Sequence, residues 1–151
     1  MSKISNKINI ENRRARFEYQ IIETYVAGIV LKGTEIKSIR ESKAALSDSY
    51  CQFVGNELFI RNMHIAEYTD ASFYQHSPTR ERKLLLSKQE LSKLMKKVNE
   101  GGLTIIPLKL FITDKGFAKV EIALCKGKKL HDKREDIKKK DIERELGRRL
   151  K

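Results

Sequence analysis

The chain has 151 residues, enough for one compact core, and carries 32 Lys or Arg against 20 Asp or Glu, a formal net charge of +12. That cationic excess favours a phosphate-rich partner, since Lys and Arg contacts release counterions from nucleic acid. A membrane reading would need a long apolar run or a basic amphipathic helix with bulky aromatic anchors, and neither is present.

Residues 1 to about 13 are polar and aperiodic. Because the N-terminus MSKISNKINIEN has no apolar run of the secretory type, a reducing cytosol is the expected compartment. Phe17, Tyr19 and Ile21 alternate with Glu18 and Gln20, the period-two pattern of a half-buried strand. The apolar run Tyr25 to Leu31 reads as a second strand or a bent continuation, with Gly28 marking a bulge or barrel corner. A short helix is expected over Ile36 to Ser42. Tyr50 to Val54 and Glu57 to Ile60, separated by Gly55-Asn56, predict a hairpin whose two-residue turn needs positive φ angles.

Ser87 precedes Leu91, Leu94, Met95 and Val98 at helical spacing, and Glu90 completes a capping box, so one long helix is predicted there. Gly101-Gly102 stops it. Leu103 to Thr113 and Phe117 to Leu124 then read as strands joined by Asp114-Lys115-Gly116, with Ile106, Leu108, Leu110 and Ile112 expected on one face. Pro107 removes a ladder donor, which implies an edge or a bulge. Six or so short strands with one late helix predict a mainly β chain, a small closed OB-type barrel with one long inserted helix and short helical turns. Cys51 and Cys125, at no metal or redox spacing and both in strand-like stretches, are expected to be small buried hydrophobes.

The last stretch, Lys126 to Lys151, holds twelve Lys or Arg against six Asp or Glu, a net +6 that is half the charge of the whole chain. Its only apolar side chains are Leu130, Ile137, Ile142, Leu146 and Leu150. Such a segment buries too little apolar area to offset its ordering entropy, so a basic tail disordered when free is expected, with residues 1–130 forming the barrel and 131–151 the tail. Ile142, Leu146 and Leu150 would line one stripe of a helix formed on a partner.

Candidate chemistry is sparse. His64, His76 and His131 have no metal-helix spacing, no nucleophile or phosphate-loop motif is visible, and no cofactor is implied, so an enzyme is unsupported. Asn12-Arg13-Arg14-Ala15-Arg16 offers guanidinium forks for phosphates, against the alternative of a soluble N-terminal flank. His76 to Lys83 follows Phe73 and Tyr74, a mixture of cations and aromatic faces suited to unpaired bases, although such aromatics also serve loop packing. Glu35, amid Lys37 and Arg40, reads either as a base acceptor or positioning group or as a surface ion pair.

Several stretches together resemble one family, the SsrA-binding protein known as small protein B. They are Asn12 to Tyr19 (NRRARFEY), Gly33 to Arg40 (GTEIKSIR), His76 to Leu86 (HSPTRERKLLL), and Val120 to Leu124 (VEIAL) leading into Gly127 to Arg134 (GKKLHDKR). The resemblance implies an OB-type barrel that grips the tRNA-like domain of transfer-messenger RNA, with a tail that enters the decoding region of the small ribosomal subunit and becomes helical in the empty mRNA channel. Carried across by motif, Asn12, Arg13, Glu35, Lys37, Arg80, Arg82, Lys83, Lys126 and Lys128 would form the RNA face. His131, Asp132, Lys133 and Arg134 match the tail motif assigned to the decoding centre. The implied partners are transfer-messenger RNA, the small ribosomal subunit with its rRNA, and, through the RNA, elongation factor Tu and alanyl-tRNA synthetase; a monomer is expected and no membrane. The alternatives are a general basic OB-fold RNA-binding or ribosome-associated protein, and an RNA-processing hydrolase that uses Glu35 or Glu121 with a metal.

Overall fold

The structure, a computed structural model, describes residues 8–68 and 75–127. The expectations for Phe73, Tyr74, Lys128 and the tail from 131 onward lie outside the described residues.

Six strands close on themselves. In chain order the elements are β1 (Asn9–Glu11), α1 (Arg13–Glu18), β2 (Tyr19–Ile29), α2 (Gly33–Arg40), β3 (Ala44–Ala45), β4 (Tyr50–Val54), β5 (Glu57–Arg61), β6 (His64–Ile65), β7 (Arg82–Leu85), α3 (Lys88–Asn99), β8 (Thr104–Ile112) and β9 (Ala118–Gly127). The sheet runs β1-β8-β4-β5-β7-β2-β9, and β9 pairs again with β8, so β8-β4-β5-β7-β2-β9 form a ring. Closure removes the sheet edges that would otherwise template aggregation. Its weakest seam is β4 against β8, joined by the single pair Cys51–Ile105, while β1 occupies the same flank of β8 further along, at Lys109 to Phe111.

The barrel interior is filled by Ala27, Leu58, Ile60, Leu84, Leu110, Val120 and Ile122, with Ile39 of α2 and Leu94 of α3 inserted into the same cluster. The predicted hairpin is present, with Gly55 at φ +62° in the turn between β4 and β5. The capping box is present too: Ser87 Oγ accepts from Glu90 N–H at 3.2 Å, and the Glu90 carboxylate accepts from Ser87 N–H at 3.2 Å. Cys51 and Cys125 are free and buried, and burial pushes both thiols well above their ordinary value, Cys125 to about 12.

Three expectations are corrected. The strand expected from Phe17 starts at Tyr19, because Arg13–Glu18 is a helix whose one buried side chain, Ala15, sits against Ile106, Leu108, Ala123 and Cys125. Of the two readings of Tyr25 to Leu31, the continuation holds, with β2 running to Ile29, but the bulge lies between Ile21 and Glu23 rather than at Gly28. Gly28 marks a close approach instead: a Cβ there would meet the Leu85 Cβ at 3.3 Å, a tight contact. Finally, Ile106, Leu108, Leu110 and Ile112 do not share a face. The register shifts between Pro107 and Lys109, so Ile106 and Leu108 turn under α1 while Leu110 and Ile112 enter the barrel core.

Candidate nucleic-acid interface

The two ends of β2 carry different chemistry. Eleven residues at about 3.3 Å each separate them by roughly 30 Å of strand. At one end Tyr19 pairs with Gly127, and Gln20 with Lys126, so α1 and the exit of β9 lie together. At the other, Val30 N–H bonds to the Lys83 carbonyl at 2.9 Å, which brings β7 and α2 together.

The α2 end is organised around a buried carboxylate. Glu35 lies in the first turn of α2, where its Oε1 accepts from Lys32 N–H at 2.7 Å. Arg80 reaches both oxygens, Nη2 to Oε1 at 2.6 Å and Nε to Oε2 at 3.3 Å, and Arg82 Nε donates to Oε2 as well. Glu35 and Arg82 are fully buried, whereas Arg80 keeps 27% of its side chain exposed. Arg82 spends its remaining donors on Met63 O at 2.8 Å and Pro78 O at 3.3 Å. Burial alone would push the Glu35 carboxyl up, but hydrogen bonds from Arg80, Lys32 N–H and Arg82 hold it below its ordinary value. Burial lowers the Arg82 guanidinium, against the pull of Glu35.

Neither oxygen faces solvent, so Glu35 is not a surface ion pair; its side chain positions Arg80 rather than Lys37 or Arg40. Arg82, likewise buried, is an internal strut to Glu35. His76, 2% exposed, belongs to the same scaffold: its Nε2 donates to the Ile65 carbonyl at 2.9 Å, and its Nδ1 is hydrogen-bonded with Thr34 Oγ1 at 2.8 Å. The strut and the histidine pin the 75–82 segment to α2. Lys37 is exposed and stands 5.4 Å from the Tyr68 ring centroid, a cation–π contact. Lys83 faces outward and pairs with Glu57 at 3.2 Å.

The α1 end is cationic and looser. Asn12 is 5% exposed, and its Nδ2 donates to Pro107 O at 2.9 Å and Leu46 O at 3.3 Å, which anchors α1 to the barrel. Arg13 and Arg16 are exposed, and with Lys109 they line a depression of about 180 Å³. Lys126 is exposed near the last described turn of β9. Thus Arg13, Lys37, Arg80, Lys83 and Lys126 are the expected site residues with solvent-facing charge, divided between two ends of the barrel rather than gathered in one patch. Sequence reading missed His76 as a scaffold residue, because its partners lie 42 and 11 residues away. Among the described residues no cluster of His, Cys, Asp or Glu could hold a metal, and no helix is long and apolar enough to cross a membrane. Glu121, the other carboxylate considered for hydrolysis, lies 3.9 Å from Lys109.

A small closed barrel that exposes Lys and Arg around polar, internally braced loops is the architecture of a basic nucleic-acid-binding barrel. The SmpB protein family profile matches residues 9–151, and the chain belongs to that family. It is 58% identical over 146 residues to the SsrA-binding protein of Cytophaga hutchinsonii, covering 97% of this chain and 95% of that protein. It is also 59% identical over 141 residues to the SsrA-binding protein of Flavobacterium psychrophilum, covering 93% and 94%. A solved chain described as "tmRNA-SmpB: a journey to the center of the bacterial ribosome" superposes with a TM-score of 0.68 at 48% identity, over 81% of this chain and 85% of that one.

Proposed function

We propose that this chain is an RNA-binding adaptor of trans-translation, which binds the tRNA-like domain of transfer-messenger RNA and delivers it to the A site of stalled ribosomes. The observation that carries the reading is similarity along nearly the whole chain to SsrA-binding proteins, together with a solved relative, 48% identical, described with tmRNA and the bacterial ribosome. No covalent chemistry is required of it. Binding a folded RNA by shape and phosphate needs fixed cations, and a fixed cation is what the Glu35 brace supplies in Arg80. The compartment that follows is the cytoplasm, where ribosomes work.

In this reading Arg80, Lys37 and Lys83 meet RNA phosphates at the α2 end, supported from beneath by Glu35 and Arg82. Arg13 and Lys126 serve the α1 end, braced by Asn12, and Lys128 is a further RNA contact. Residues 131–151 form a separate functional segment: His131, Asp132, Lys133 and Arg134 address the decoding centre, and the stripe Ile142, Leu146 and Leu150 folds in the vacated mRNA channel. What supports the division is the exit of β9 beside α1, roughly 30 Å of strand from Arg80. The chain then leaves the barrel at the end away from Arg80, so the tail is free of the α2-end contacts.

Deletion of residues 131–151 tests it. Affinity for transfer-messenger RNA is expected to survive while peptide tagging on stalled ribosomes is lost. A general basic RNA binder would instead lose affinity for every RNA together, and would hold unstructured RNA as well as a tRNA-like elbow.

A further inference from the structure

The weak seam between β4 and β8 opens into an apolar notch of about 380 Å³, lined by Cys51, Phe53, Val98, Leu103 and Ile105 among others. Phe53, Val98 and Leu103 are only half-buried there, packed on the core from one side and left partly bare on the other.

The backbone of β4 is unfinished at the same place. In a hairpin with a two-residue turn the flanking pair, Val54 and Glu57, exchanges hydrogen bonds. Tyr50, Gln52 and Val54 therefore bond to β5, while Cys51 and Phe53 turn their N–H and C=O groups toward β8. Cys51 meets Ile105 there, but the ladder stops with that pair and β8 starts at Thr104, so no strand stands opposite Phe53. An apolar notch beside an open strand edge suits an added extended segment.

The chain itself supplies one. β9 pairs Cys125 with Thr104, so Gly127 comes level with Gly102 beside the notch, and Leu130 is the first apolar residue after it. β9 and β4 flank β8 at about 4.8 Å on either side, roughly 10 Å in all, and the stretch from Gly127 to Leu130 spans about 10 Å when extended. By contrast, β1 begins opposite Phe111, roughly 26 Å of strand from Leu103, which leaves the N-terminal segment the poorer candidate. Lys128 and Lys129 also match the border of the notch at Val98 and Asn99, the C-terminal end of α3, whose last carbonyls favour cations.

We infer that Leu130 seats in this notch, its backbone laid along the open edge at Phe53, and so anchors the root of the C-terminal segment to the barrel seam. The seat sets the point and direction from which His131 to Arg134 leave. Only that use, and not the contact itself, rests on the adaptor reading.

Amide resonances of the full chain test the seat. Leu130→Asn is expected to shift residues 51–53, 98–99 and 103–105, and to speed hydrogen exchange at the Phe53 amide at least about tenfold, the scale of one buried leucine. Removal of residues 131–151 is expected to leave these resonances in place, and further removal of 128–130 to reproduce Leu130→Asn. Unshifted notch resonances in Leu130→Asn overturn the inference. Equal shifts on removal of 131–151 overturn it in favour of the stripe Ile142, Leu146 and Leu150, and shifts that follow protein concentration but not Leu130→Asn overturn it in favour of a second copy of the chain. Peptide tagging by Leu130→Asn is expected to fall severalfold at unchanged affinity for transfer-messenger RNA. Full tagging with the notch resonances shifted overturns the directing role, whereas failure of the unaltered chain to bind transfer-messenger RNA overturns the adaptor reading.

Discussion

Glu35 and Glu23 each hold two cations, yet they do different work. Glu35 is fully buried and is gripped by Arg80 and the equally buried Arg82. Glu23, at the β2 bulge with its side chain 29% exposed, takes Lys97 and Lys93 from α3, the second at 3.7 Å, and accepts from the Tyr25 hydroxyl at 2.5 Å. The first carboxylate has left water and is compensated only by its partners. The second keeps much of its hydration, so its lysines add little. Planar guanidinium forks occupy the buried site and flexible ammonium groups the exposed one, which follows from the weaker hydration and fixed geometry of arginine. One pair therefore fixes where a cation points; the other tethers a helix to the barrel wall.

The largest effect should come from breaking the buried set. Glu35→Gln leaves Arg82 charged in the interior without its counter-ion, and removal of one partner of a buried pair costs about 3–5 kcal/mol. Urea unfolding should show the midpoint falling with little change in slope. A loss below about 1 kcal/mol would mean that water enters the site and that the contrast with Glu23 is false. Since the Glu35 carboxyl is held below its ordinary value in the folded state, this contribution is present above the unfolded value and is lost as pH falls through the folded one.

Arg80→Ala sharpens the comparison from the functional side. Arg80 is the member of the set that reaches solvent, and Arg82 still neutralises Glu35 when it is gone, so the expected loss of stability is smaller than for Glu35→Gln. Affinity for transfer-messenger RNA should fall, and its dependence on salt should flatten by about one phosphate's worth. Unchanged affinity at several salt concentrations would remove Arg80 from the RNA face.

What the sequence disclosed was local. The Gly55-Asn56 turn, the Ser87–Glu90 capping box and the break at Pro107 are short-range devices whose residues stand next to each other. What it hid depended on partners far along the chain. Phe17 and Glu18 read as the start of a strand because Phe17, Tyr19 and Ile21 alternate, but Ala15 seats Arg13–Glu18 on Ile106 and Leu108, and this packing selects a helix. Pro107 implies an edge or a bulge, and the structure has the bulge; its consequence, turning Ile106 and Leu108 away from Leu110 and Ile112, is not legible in the sequence, since a one-residue slip reverses every later side chain. The RNA-face candidates came from motifs that do not distinguish a cation facing solvent from one facing a carboxylate. Arg80 and Arg82 stand two apart, as neighbours on one strand face would, yet one reaches solvent and the other is sealed inside on a carboxylate 47 residues away.

The smallest expected effect is at Glu23, and its pH dependence is the cleanest discriminator. Lys97 first, then the Tyr25 hydroxyl, lower this carboxyl from its ordinary 4.5 to about 2, against the opposing effect of burial, while burial and Glu23 together raise the Tyr25 phenol to about 12. A depressed carboxylate contributes stability that is whole above pH 4.5 and disappears as pH falls toward 2. Glu23→Gln should therefore melt slightly below the unaltered chain at neutral pH, and the gap should close steadily as the solution is acidified below pH 4.5. High salt should shrink the neutral-pH gap as well, because the two lysines are screened, whereas salt should hardly alter the deficit of Glu35→Gln. A Glu23→Gln gap that resists both acid and salt would show that the exposed carboxylate is held by shape rather than charge, and that the two sites differ less than their burial implies.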